Sequence, residues 1–170
     1  MLRVRPGGIM IFRMTTFAFV HVALSLVAIG SGFVVMFGLM TAEKLEGWTV
    51  LFLATTAATC VTGLAFEVLV PAHVVGDIVT LAALAVATLA RYPLRLAGAW
   101  RWVYAVAAVF ALYLSVLVLV AQIFQKIPAV NVLAPTQSEP PYIITQGIVL
   151  VAFVILGFVA TNKFRPQPTV

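Results

Sequence analysis

Charge is what this sequence has least of. Only 9% of its 170 residues are Asp, Glu, Lys or Arg, against 64% hydrophobic ones, and the mean hydropathy is +1.16. A soluble domain carries about 25% charged residues. The shortage excludes a soluble enzyme, a disordered tail and a conventional nucleic-acid-binding domain. The net charge of +5 therefore does not point to nucleic acid. Cysteine is almost missing as well: Cys60 stands alone in an apolar run. It excludes an intramolecular disulfide and a CxxC metal motif, and reads as a small buried hydrophobe. No internal repeat is visible, which argues against an inverted-repeat transporter. No cleavable leader is expected, because the first apolar run is too long for a signal h-region and lacks an A-x-A site.

What is present is a series of apolar runs long enough to cross a bilayer, each needing roughly 20 residues. The expected fold is an all-α, polytopic transmembrane bundle of five spans, at about 15–40, 48–70, 72–90, 100–124 and 142–161. A basic N-terminal segment (1–14) and a basic C-terminal tail (163–170) flank one bundle domain, 15–162. The third run is the shortest; without it there are four spans and the later loops exchange sides. The breaks have physical causes. Thr41 to Gly47 is a polar turn, Pro71 fits the first turn of a helix, and Arg91-Tyr92-Pro93 ends one. Four prolines between Gln125 and Pro141 prevent a single helix there.

Five spans sort the loops onto two sides. Side A has the N-terminus, the turn at Pro71 and the Pro-rich loop. Side B has the Glu43–Glu46 turn, the Arg91–Arg101 loop and the C-terminus. Side B carries Lys44, Arg91, Arg95, Arg101, Lys163 and Arg165; side A carries Arg3, Arg5, Arg13 and Lys126. Met10 and Met14 are alternative starts, and a start at Met14 would leave six basic residues against one. That favours side B as cytoplasmic and side A as periplasmic. Arg91, Arg95 and Arg101 read as topology signals or as contacts to lipid headgroups. Trp48, Tyr92, Trp100, Trp102, Tyr104 and Tyr142 fall at span ends, as an aromatic belt does.

Small residues on the first span (Ser25, Ala28, Gly30, Ser31, Gly32, Gly38) and a threonine face on the second (Thr55, Thr59, Thr62) suggest that these two helices pack closely. Thr56, Cys60, Gly63 and Glu67 share the neighbouring face.

Side A gathers the chemistry. His21, His73, Asp77 and Glu67 all fall there, with Asp77 four residues after His73 on the same helix face. Gln122, Gln125, Gln146 and Asn131 lie at the same end. Ionisable groups within spans are costly and usually face the bundle interior. Three readings follow. His21 and His73 could be axial ligands of a haem b, with the small residues of the first helix leaving room for the porphyrin. His21, His73, Asp77 and Glu67 could hold a metal ion, or the same face could take a quinone. Or the groups are solvated at headgroup level and His21 bonds a neighbouring helix. The loop residues Thr136, Gln137, Ser138 and Glu139 are a candidate lid over this end.

The run Gly98-Ala-Trp-Arg-Trp-Val-Tyr104, then Ala111-Leu-Tyr-Leu114, then Gln122, Phe124, Lys126 and Pro128, then Ala134-Pro-Thr-Gln-Ser-Glu-Pro-Pro141, resembles a family of small polytopic bacterial membrane proteins without an established activity. The resemblance extends from His21 onward. It implies a bacterial inner-membrane location and carries no mechanism. On the residues alone, the favoured role is a non-enzymatic membrane subunit or scaffold, alone in the bilayer, as a homo-oligomer or in a larger complex.

Overall fold

In hydrocarbon every backbone N–H and C=O must be satisfied within the protein, so apolar runs rich in Val, Ile and Thr become helices there. The computed structural model describes residues 16–66 and 71–164, with the side chains of Phe66 and residues 71–73 left out. It contains α1 (Thr16–Thr41), α2 (Glu46–Phe66), α3 (Pro71–Arg91), α4 (Trp100–Lys126), the single turn α5 (Pro128–Asn131) and α6 (Pro140–Lys163). Five of these are long and apolar enough to cross a membrane. The chain is a multi-pass membrane protein with an all-α bundle. The N-terminal segment, residues 67–70 at the end of the expected second span, and the tail beyond Phe164 lie outside the described residues.

The ends differ from expectation by a few residues, for local reasons. α2 starts two residues earlier, at Glu46, where an acidic side chain suits a helix N-terminus. α6 starts at Pro140, since proline is accommodated in a first helical turn. α1 closes with Ala42 in the left-handed region (φ 61°) and the Glu43 N–H donating to the Gly38 carbonyl at 2.8 Å. This is the six-to-one bond of a Schellman cap, with alanine where glycine is usual.

α4 is the central helix and packs against α1, α3, α5 and α6; α2 packs against both α1 and α3. α3 and α4 both carry buried alanines, Ala83, Ala87 and Ala90 on α3 and Ala105, Ala108 and Ala111 on α4. Small residues of this kind let packed helix backbones approach. Between α1 and its neighbours, Gly32 seats against Leu112 of α4 and Phe52 of α2. α6 is the least covered helix. Aromatic pairs hold it at three levels: Phe124–Tyr142 at side A, Phe153 against Phe33 and Tyr113 in the middle, and Tyr104–Phe164 at side B. Each such pair contributes about 0.5–1.5 kcal/mol beyond its burial.

Candidate functional site

The side-A halves of α1, α2 and α3 meet at one turn of α2. From α1, the His21 Nδ1 lies 2.8 Å from the Thr62 hydroxyl. From α3, the Asp77 carboxylate occupies the space above Gly63. A Cβ there would stand 2.5 Å from Asp77 Oδ2, so any larger residue would displace the carboxylate. The buried Cys60 thiol lies near the same carboxylate. Thr62 also donates to the Ala58 carbonyl at 2.8 Å, so its own helix holds the hydroxyl in place while it meets the imidazole.

The structure thus brings His21 and Asp77 to the same level of α2, residues 60–63. The His73 backbone sits one turn, about 6 Å, nearer the start of α3 than Asp77. The imidazole of His73 and all of Glu67 lie outside the described residues. Among the described residues, no three of His, Cys, Asp and Glu are grouped closely enough to hold a metal ion. The small residues of α1 are not a vacant slot. Leu112 and Phe52 fill the space at Gly32, Leu45 fills it at Gly38, and Gly30 faces outward.

The threonine face of α2 closes largely on its own helix. Thr55 and Thr59 donate to the carbonyls four residues earlier, at 2.7 and 2.9 Å. Thr56 is buried with its Oγ1 lacking a partner among the described residues.

The Pro-rich loop folds back onto the side-A end of α4. The Gln137 side-chain amide donates to the Ala121 carbonyl at 2.9 Å and the Asn131 amide to the Phe124 carbonyl at 3.0 Å. The Asn131 bond supplies a donor to the last turn of α4, where carbonyls run out of helical partners. Gln137 holds a left-handed φ of 59° to make its own contact, and Ala134 beneath the loop is fully buried. Within the loop, Glu139 accepts from the Thr136 hydroxyl at 2.8 Å, the Thr136 N–H at 3.2 Å and the Ser138 N–H at 3.1 Å. Partial burial pushes its carboxyl up. The Thr136 hydroxyl and the backbone N–H groups outweigh that and hold it below the ordinary carboxylate value.

On side B the three arginines separate. Arg95 is exposed and Arg101 half-buried. Arg91 is buried, with a side chain only 4% exposed. Its Nη2 donates to the Lys44 carbonyl at 2.8 Å and pairs with Glu46 at 2.9 Å, and its guanidinium lies 5.1 Å from the Tyr104 ring centre. Tyr104 is buried with its hydroxyl 3.4 Å from that of Thr49. Arg91 therefore joins the end of α3 to the α1–α2 turn and to α4. Sequence reasoning put Thr62, Gly63 and Cys60 on interhelical faces and His21 against a neighbouring helix, but did not pair Thr62 with His21 or Gly63 with Asp77, nor Tyr104 with Arg91. A threonine or glycine facing an ionisable residue at equal depth is the signal that could have found the first two pairs.

Comparison with protein-family profiles, curated proteins and solved structures finds no match for this chain.

Proposed function

We propose that this chain is a non-enzymatic subunit or scaffold of the bacterial inner membrane. The observation that supports it is where the polar groups within the spans are spent. His21 goes to Thr62, Arg91 to the Lys44 carbonyl and Glu46, Tyr104 to Thr49, and Gln146 to the Leu117 carbonyl at 3.1 Å. Such contacts fix helices against one another. The excess of basic residues on side B supports a cytoplasmic side B. The outward apolar face of α6, with Ile144, Ile148, Val151 and Ile155 exposed, meets lipid, a second copy or a larger complex.

A second reading keeps haem b at His21 and His73, a metal ion at His21, His73, Asp77 and Glu67, or a quinone at the same face. Its support is the convergence of His21 and Asp77 on residues 60–63, since ionisable groups at membrane depth commonly mark functional sites. Absorption spectroscopy and elemental analysis of detergent-purified protein separate the two. The scaffold reading expects no Soret band and no stoichiometric metal. A Soret band that shifts on reduction and disappears in His21→Ala, or stoichiometric metal lost in the same variant, would overturn it. For orientation, a cysteine replacing Arg95 should stay unlabelled by an impermeant reagent in intact cells and react after lysis; labelling from outside reverses the assignment.

A further inference from the structure

The outer face between α4 and α6 carries a groove with two chemically different parts. At the side-B end is a pocket of about 220 Å³ lined by Arg101, Trp102, Phe158, Thr161 and Asn162. Contiguous with it through Phe158 and Thr161, an apolar trough of about 370 Å³ runs toward the middle of the bundle, past Val106, Phe110 and Tyr113 of α4 and Leu150, Val154 and Gly157 of α6. From Thr161 to Leu150 the trough follows eleven residues of helix, about 16 Å at 1.5 Å each. One leaflet of a bilayer is about 15 Å of hydrocarbon. The trough therefore begins at the membrane interface and ends near the midplane.

The polar end has charge to offer. Arg101 Nε is buried without a hydrogen-bond partner among the described residues. Of the side-B acids, Glu46 is taken by Arg91. Lys163 is exposed on the last turn of α6, beside Asn162. The Arg101 side chain lines this pocket, and a phosphate oxygen is the acceptor a guanidinium matches best. Gly157 lines the trough without a side chain. A Cβ there would make only an ordinary 3.5 Å contact with Val109, whereas a longer side chain would extend into the groove.

We propose that this face seats one anionic glycerophospholipid of the side-B leaflet, its phosphate at Arg101 and one acyl chain along the trough between α4 and α6. Charge complementarity at one end and a match to leaflet depth at the other select a lipid over a soluble anion. One basic residue near a headgroup favours an anionic over a zwitterionic lipid by about fivefold.

The test is native mass spectrometry of the full chain in detergent, titrated with phosphatidylglycerol or with phosphatidylcholine of the same acyl chains. The expected result is one retained lipid, with phosphatidylglycerol preferred about fivefold. Arg101→Gln should bring the two lipids to parity, Arg95→Gln should leave the preference intact, and Gly157→Leu should lower retention of both. Thermal melts by circular dichroism show whether each variant is folded, and the wild-type comparison needs no variant. Equal retention of both lipids by the wild type would overturn the proposal, as would a preference untouched by Arg101→Gln. Displacement of phosphatidylglycerol by inorganic phosphate would reduce the site to an anion pocket, and dimers forming in place of lipid-bound monomers would assign the groove to a second copy; both reject the lipid.

Discussion

Replacing Arg91 by methionine keeps most of the side chain's apolar stem while removing its charge and donors. Three contributions are lost. The charge-assisted hydrogen bond to the Lys44 carbonyl contributes about 1.5–3 kcal/mol. The guanidinium over the buried Tyr104 ring contributes about 1–2 kcal/mol where water is largely excluded. The ion pair with Glu46 adds little, because Glu46 is 68% exposed and such pairs contribute about 0–1 kcal/mol. These terms share one group and do not add fully, and removing the buried, unpartnered Nε of Arg91 offsets part of them, so the expected loss is about 2–3 kcal/mol. Glu46→Gln should cost no more than about 1 kcal/mol. Arg91→Lys should fall between, since lysine keeps the charge but lacks the planar face that lies over Tyr104. The assay is reversible unfolding in mixed micelles of rising SDS mole fraction, followed by helical circular dichroism. If Arg91 acts only as a topology signal, Arg91→Met will unfold within about 0.5 kcal/mol of the wild type. That result, or a Glu46→Gln loss as large as that of Arg91→Met, refutes the brace.

The glycines of α1 give a paired prediction. Gly32→Ala places a Cβ 2.6 Å from Leu112 Cδ1 and 2.9 Å from Phe52 Cε2. Both neighbours are fully buried, so the same unfolding assay should show a loss of about 1–3 kcal/mol. Gly30→Ala meets nothing within 4 Å and should be neutral or stabilising by up to about 1 kcal/mol. The Pro-rich loop should respond to acid. The folded value of Glu139 is depressed, so its contribution is fully present above the unfolded carboxylate value of about 4.3 and is lost as pH falls through the folded value. The backbone amide resonances of Thr136 and Ser138 should therefore titrate with a midpoint below about 4.3, and Glu139→Gln should remove that titration; a midpoint above it would contradict the geometry.

The five membrane-length helices were legible because lipid leaves apolar runs of this length little alternative to a helix. The approach of α1 and α2 was legible in part, since Gly32 and Gly38 do face neighbours while Gly30 does not. The buried alanine row of α3 lies in the spacing of Ala83, Ala87 and Ala90, which a hydropathy profile does not single out. Alanine neither breaks a hydropathy profile nor marks a polar face, so only its periodicity could have exposed it.

The polar groups divide along a physical line. Counting spans gives the depth and side of a residue, and that placed His21 and Asp77 at one end of the bundle. It says nothing about rotation of a helix around its axis, which decides whether an ionisable group at that depth meets a partner or lipid. Rotation is set by where side chains are missing. Asp77 reaches α2 because residue 63 has no Cβ to exclude it, and Cys60 lies one turn away on the same face. Had residue 63 been alanine, the carboxylate would have been pushed off the α2 backbone. Arg91 obeys the same logic at the other end. Its position at a helix terminus made it look like a topology signal, yet the Lys44 carbonyl and the Tyr104 ring, distant in sequence, bury it. In a chain this poor in charge, a few small residues decide which ionisable groups join helices and which are left for the membrane.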